Sequence, residues 1–316
     1  MDQRKLRKLF QGVKDMGLVP PKAKTIPTLF VSSSNLCLAW EFSVLELWSR
    51  GCAVATQYDK PGDPLSRDAT MIIEVTDPLS EPRLYKGFPG GLIDLWKYRQ
   101  EVVEGAHDHW IDLDDKLKWQ YTYHQRLRDY LVSSQSIPHN TQVSWRFDQI
   151  FEYVIPSLVS APYTRRAQAV TWRVDIDTEI DDPPCLQRLW FRILNGKLHM
   201  NSHWRSRDAF KAAYMNMFAM IELQKMVAEK VSQLRGEKIE VGPYKDISDS
   251  YHVYGFDFSN EKLPMSFQGW LDWLSKHLEG GIDERAWVTE FALENFDFIN
   301  EAEKQLAEEV EKEKQK

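Results

Sequence analysis

One thiol, Cys185, ends the stretch Asp181-Asp182-Pro183-Pro184-Cys185, and a strand-like run from Leu186 to Leu194 follows it. Two prolines stiffen the backbone just ahead of the sulfur. Arg165-Arg166 precedes the thiol and Arg205-Ser206-Arg207-Asp208 follows it. A cysteine bracketed by arginines suits a thiolate working beside a bound phosphate, because cationic and anion-stabilising neighbours favour the ionised, nucleophilic form. The alternative is a buried structural cysteine, a common fate of free thiols. Other chemistry finds less support. His199 and His203 fall on a predicted strand, which holds them apart along one face rather than together on a metal. We find no Walker loop, no dinucleotide glycine fingerprint and no nucleophile elbow.

The elements around the thiol follow from periodicity and turn chemistry. Leu186–Leu194 and Lys197–Trp204 read as a hairpin around Asn195-Gly196, a strong two-residue turn signal. Ala167 to Val174 alternates as a strand would, with Val170, Trp172 and Val174 on one face. Phe88-Pro89-Gly90-Gly91 opens a helix whose apolar residues Leu92, Leu95, Trp96, Val102 and Val103 recur up to Gly105. Met215 to Leu234 is a long helix, with Met217, Met220, Ile221, Leu223 and Met226 serving as core. Residues 1–17 form a short basic helix, Leu38–Trp48 a buried one, and Met71–Val75 a strand. Asp59 to Pro64 is a loop. Val143 to Leu158 is predicted helical with a break near Pro156. Ser266–Leu278 and Asp283–Phe296 read as two further helices. The charged tail from Asn300 to Lys316 reads as a solvated or frayed helix.

Composition bounds the class. The chain has 316 residues, 43% hydrophobic, with twelve tryptophans, enough to fill a substantial core. A net charge of −7 argues against a general nucleic-acid binder. Three cysteines without metal spacing suit a reducing cytoplasm. No signal peptide or bilayer-spanning run is expected, so neither is a membrane partner. Strands and helices interleave without a regular βαβ rhythm. One mixed α/β (α+β) domain over residues 1–316 is therefore expected.

The ordered set Thr164-Arg165-Arg166, Asp182-Pro183-Pro184-Cys185, Gly196-Lys197-Leu198, Arg205-Ser206-Arg207-Asp208, Asn216 and His252-Val253-Tyr254 resembles the thymidylate synthase family, which includes the pyrimidine-nucleotide hydroxymethylases. The resemblance runs from about Phe88 to Tyr254; residues 1–80 and 255–316 match poorly. It implies a single three-layer fold with a large mixed sheet, packed sheet to sheet in a homodimer. It implies transfer of a one-carbon unit from 5,10-methylenetetrahydrofolate, without metal, to C5 of a pyrimidine deoxynucleoside monophosphate. Cys185 would add at C6, turning C5 into a nucleophile. Arg205 and Ser206 match phosphate-binding positions, and Arg165 and Arg166 match a pair donated across the dimer, so the active site would be shared. Asn216 matches the residue that reads the pyrimidine ring; one amide donor and one acceptor complement O4 and N3–H of uracil. Asp208 matches an aspartate that orders the pterin and a water network. His252 and Tyr254 match contacts to the sugar, and Tyr123 a tyrosine near the nucleophile. The general base is Glu101 or Glu104, with Glu101 preferred.

Three departures bear on the reaction. Leu186 replaces the family's histidine after the nucleophile, and Ala212-Ala213-Tyr214 replaces a Gly-Leu-Pro turn. The last residues are Glu311-Lys312-Glu313-Lys314-Gln315-Lys316 in place of an apolar closing tail. A site that is not closed by such a tail favours capture of the intermediate by water. The expectation is a dUMP hydroxymethylase. The alternatives are a divergent thymidylate synthase, a dCMP hydroxymethylase, or a non-catalytic nucleotide- or RNA-binding relative.

Overall fold

The computed structural model describes residues 3–19, 24–112, 115, 118–136 and 141–314. Helix α1 (Gln3–Met16) buries Leu6, Phe10 and Val13, spaced to share one face. Strand β1 (Thr28–Ser33) leads to α2 (Leu36–Arg50), where the Asn35 side chain caps the first turn by accepting from the Leu38 amide at 3.2 Å. Strands β2 (Cys52–Val54), β3 (Ser66–Val75) and β4 (Leu84–Tyr85) precede α3 (Gly91–Glu104). That helix ends at Gly105, whose φ of +73° is left-handed. A side chain at Gly105 would also meet the His124 ring at 2.4 Å, so the turn requires glycine.

Helix α4 (Tyr123–Arg128) precedes the hairpin β5 (Tyr130–Ser136) and β6 (Thr141–Phe147). A π-helical turn, Gln149–Val154, runs into α5 (Ile155–Ser160). Strand β7 (Gln168–Val170), the short α6 (Val174–Asp177) and strands β8 (Leu186–Leu194) and β9 (Lys197–Asp208) follow. Helix α7 (Ala213–Arg235) crosses to β10 (Glu240–Val253). The chain finishes with α8 (Phe267–His277), α9 (Gly281–Arg285), β11 (Ala286–Trp287), α10 (Thr289–Asn295) and α11 (Phe298–Lys314).

Among the described residues the large sheet has seven strands, ordered β1-β3-β10-β9-β8-β7, with β2 on β3. It is mixed: β1–β3 and β9–β10 run parallel, and the remaining pairs antiparallel. The fold expected from the sequence, mixed α/β around a large mixed sheet, is the fold observed. The β8–β9 hairpin turns at Asn195 and Gly196, both at positive φ, the geometry a two-residue hairpin demands. Along β9, Leu198, Met200, Ser202 and Trp204 are buried, and His199, Asn201 and His203 alternate with them on the more open face. Helices α2 and α7 cover the buried face. Met217 and Met220 of α7 are fully buried, as core methionines should be. The opposite face carries Phe30 at 61% exposure and Val170 at 37%.

Four local expectations need correction. Val143–Phe147 is strand, because it pairs in register with Tyr130–Ser134; helix begins only after Asp148, whose carboxylate caps the amides of Ile150 and Phe151. Pro156 does not break α5 but sits in its first turn, where no backbone donor is needed. The strand predicted over Ala167–Val174 spans only Gln168–Val170, and Val174 begins α6. Asp283–Phe296 is split into α9, β11 and α10, since Ala286 and Trp287 pair with β4. The charged C-terminal stretch is helical as expected, but α11 is docked rather than loose. Phe298 and Ala302 are buried, and the Phe298 ring meets the Trp96 edge of α3 at 5.8 Å.

Candidate active site

Cys185 precedes β8 at the point where that strand meets β9. Its carbonyl accepts the Arg205 amide at 2.9 Å. The Arg205 guanidinium donates to the carbonyls of Pro184 at 3.0 Å and Pro183 at 2.5 Å. The cationic residue and the rigid dipeptide therefore lock each other beside the thiol. Tyr123, from α4, accepts the Leu186 amide at 3.4 Å and packs edge-on against Trp204. Burial pushes the Cys185 thiol above its ordinary range; Arg205 opposes this, Asp182 adds to it, and Arg207 opposes it. Burial also pushes up the phenols of Tyr121 and Tyr123, and each feels a charge on Cys185.

Tyr121, Tyr123 and Asp182 line a cavity of about 710 Å³ that reaches Glu101. A second cavity, of about 380 Å³, also reaches Glu101 and is lined by Phe88, Tyr98, Lys97, His107, Lys211 and Met215. Glu101 is 8% exposed and stands where both open. Glu104, by contrast, is exposed and pairs with Arg99 at 2.8 Å. The position on α3 thus separates the two carboxylates that the sequence left as alternatives. Glu101 is bonded to His107 Nδ1 at 2.8 Å. Burial pushes the His107 imidazole down, but Glu101 and Glu309 outweigh it, so it lies above its ordinary value.

Asn216 lies within α7, which begins at Ala213, so it does not cap the helix. It is 6% exposed, and its Nδ2 donates to the Tyr98 hydroxyl at 2.6 Å. One N–H and Oδ1 remain for a ligand. Sheet register brings the remaining residues together. Ser206 lies opposite Ser250, and Asp208 opposite His252. Asp208 accepts from the amides of Phe210 and Lys211, shaping the turn into α7. Lys211 bridges Asp257 at 2.7 Å and Asp208 at 3.4 Å, and its ammonium lies over the Tyr254 ring. His252 meets Tyr254 edge-on at 4.8 Å. Arg205, Ser206, Asp208, His252 and Tyr254 are therefore assembled at one end of β9 and β10.

Arg165 and Arg166 stand apart from this group. Both are exposed in the lead-in to β7, the edge strand beside β8, and their backbone carbonyls accept from Trp190 and Tyr153. Neither lines the two cavities. Arg207 is a structural ion: it is 3% exposed, pairs with Asp246 and lies over Trp204. Sequence reasoning missed Tyr98, Tyr121, His107 and Lys211. Tyr98 and Glu101 share a face of α3 by their three-residue spacing, so Tyr98 carried a local signal; Tyr121 comes beside Tyr123 only through the loop that enters α4, ring centroids 5.8 Å apart. His107 carried none, because a glycine turn folds it back onto the helix.

Comparison with known proteins follows the same lines. The sequence profile described as thymidylate synthase matches residues 93–310. Two curated archaeal proteins share the name "Putative thymidylate synthase". That of Methanosarcina acetivorans is 28% identical over 228 residues, covering 72% of this chain and 90% of that protein. That of Methanothermobacter marburgensis is 32% identical over 238 residues, covering 73% of this chain and 96% of that protein. The solved structure of thermostable thymidylate synthase A from Bacillus subtilis superposes with a TM-score of 0.51 at 18% identity, over 72% of this chain and 82% of that one.

Proposed function

The chain belongs to the thymidylate synthase family, and we propose that it hydroxymethylates C5 of dUMP through a covalent adduct of Cys185 with C6. The observation that carries this reading is Glu101. It is a buried carboxylate at the meeting point of two cavities, one walled by Tyr123 and Asp182 beside Cys185, the other by residues neighbouring Asn216.

In the proposed reaction the Cys185 thiolate forms a bond to C6, and the C5–C6 electron pair moves to O4. C5 then attacks the one-carbon donor. Glu101, through water, removes the C5 proton, and that electron pair forms the exocyclic C=C bond as the carbon–nitrogen bond to the donor breaks and tetrahydrofolate leaves with the nitrogen's electron pair. Water adds to the resulting exocyclic methylene, and the sulfur leaves with its electron pair. Arg205 and Ser206 bind the phosphate, joined by Arg165 and Arg166 of the partner subunit. His252 and Tyr254 hold the sugar, and Asp208 with Tyr123 orders the water and the nucleophile. Asn216 reads O4 and N3–H through the N–H and Oδ1 that Tyr98 leaves free.

The smaller cavity suits methylenetetrahydrofolate: Phe88, Pro89, Met215, Leu263 and Pro264 offer apolar contact to a flat ring, and Lys97 and Lys211, each paired with an acidic side chain, add polar wall. Bound there, this co-substrate supplies the one-carbon unit. Water as the capturing group is supported by carboxylates that can hold it along a largely aromatic and apolar wall. Asp175, Glu179, Asp181 and Asp182 share the larger cavity with Glu101. A homodimer is supported by the exposed apolar side chains Phe30 and Val170 on one face of the sheet and by the exposed arginines at its edge. All of this falls within a single domain spanning the chain.

The test is product mass. Incubation with methylenetetrahydrofolate and dUMP, dCMP or CMP should yield a hydroxymethyl product from dUMP and tetrahydrofolate. A methyl product with dihydrofolate would make the chain a thymidylate synthase, and turnover of dCMP alone would reassign the base.

A further inference from the structure

Helix α11 reaches the candidate base through a chain of side chains. Lys97 of α3 pairs with Glu309 of α11. Glu309 faces His107 Nε2 at 3.3 Å, and His107 Nδ1 faces Glu101 at 2.8 Å. The imidazole is thus held by a carboxylate on each nitrogen. Its ring is stacked on Trp110 at 4.1 Å with an interplanar angle of 20°, so it has little freedom to turn. Side-chain exposure is 7% for His107, 11% for Glu101 and 28% for Glu309. Two further observations tie the helix to the site: Ala302 is fully buried, and Phe298 packs on Trp96, five residues before Glu101 on α3.

We propose that Glu309 and His107 are positioning residues for the general base, so that the C-terminal helix takes part in catalysis by holding Glu101 through a carboxylate–imidazole–carboxylate relay. This inference rests on Glu101 being that base. The physical reason is geometric and electrostatic. An imidazole bonded at both nitrogens to carboxylates is favoured in its doubly protonated form, which donates to both. A charged donor at 2.8 Å fixes the Glu101 rotamer, so the carboxylate is held in one orientation toward the cavities it lines. The charged groups that face the imidazole are Glu101 from α3 and Glu309 from α11, and Asp94, Lys97 and Lys211 line the cavity that the ring borders. Glu309 is the anion that faces Nε2, so its removal leaves Glu101 alone to oppose the push of burial against the imidazolium. The relay then fails at a lower pH than in the native chain.

The experiment measures release of the C5 proton and full turnover against pH, using dUMP or whichever nucleotide the product assay identifies. The variants are E309Q, E309D, E308Q and E101Q. Glu308 is exposed on the same helix, so E308Q makes the same charge change away from the relay. E309Q should lower kcat about ten-fold, the low end for losing a supporting partner of a functional group, with KM within about two-fold. Its alkaline limb should move to lower pH. E309D, which keeps the charge, should recover part of both, and E308Q should match the native profile. Native melting temperatures for E309Q and E309D exclude misfolding as the cause. An E309Q profile equal to the native one, with E101Q inactive, overturns the relay and leaves the base assignment standing. A fall in kcat without movement of the alkaline limb also overturns it. Native kcat in E101Q overturns the base assignment and the relay together.

Discussion

Replacing Arg205 by glutamine tests the electrostatics of the nucleophile without requiring the substrate. The guanidinium donates to the Pro183 and Pro184 carbonyls, and it is the leading charge that counters the upward push of burial on Cys185. An opposite charge in contact range alters an ionisation equilibrium by at least ten-fold. Arg205 is only partly buried, so the low end applies. Below its pKa a thiol reacts in proportion to its thiolate fraction. R205Q should therefore slow iodoacetamide alkylation of Cys185 roughly ten-fold at neutral pH. The rate should rise with pH in both proteins and converge at high pH. The readout is mass analysis of the Cys185 peptide; Cys37 and Cys52 are buried and their thiols are also pushed up, so they report little. R205K keeps the charge but cannot bridge two carbonyls in the same way, and should stay within about three-fold of native. Equal alkylation rates in R205Q and the native chain would refute the electrostatic argument. Equal losses in R205K and R205Q would assign the effect to the lost grip on the prolines.

Further expectations concern the site and its frame. Cys185→Ser and Arg166→Ala chains should each be inactive, and mixing them should restore activity in the hybrid dimers that hold one intact shared site; proven subunit exchange without recovery counts against sharing. Asn216→Asp should shift preference from dUMP toward dCMP by roughly ten- to hundred-fold in relative kcat/KM, because a lost partner for a buried polar group costs about 1–3 kcal/mol; competition assays with both nucleotides read this, and an unchanged ratio contradicts it. Arg126→Met should destabilise the chain by about 3–5 kcal/mol. It strands Asp177, which is fully buried and bound by Arg126 at 2.7 and 3.2 Å. Thermal melting checks this, and Arg126→Met with Asp177→Leu should recover much of the loss; a single variant that melts like the native chain would show that the pair adds nothing.

The residues themselves determined a good deal. The Asn195-Gly196 turn specifies the β8–β9 hairpin, since two consecutive left-handed residues leave few other conformations. The methionine-rich periodicity specifies α7 as core, and Gly105 specifies the end of α3. The order of Cys185, Arg205, Asn216 and His252 pointed to the family that the profile match establishes. Tertiary structure decided what depends on a distant partner. Val143–Phe147 looks helical alone and is strand because β5 pairs with it. Glu101 and Glu104 are near neighbours of the same residue type. One faces two cavities and the other faces solvent, which depends on what packs against α3. Helix α11 shows the same limit. Its charges read as a solvated surface, yet Glu309 comes within hydrogen-bond reach of His107, more than two hundred residues away in the chain. Local periodicity reports which face of a segment is apolar. It carries no information on the part-buried ion pairs that a distant helix completes, and that is where the candidate base acquires its setting.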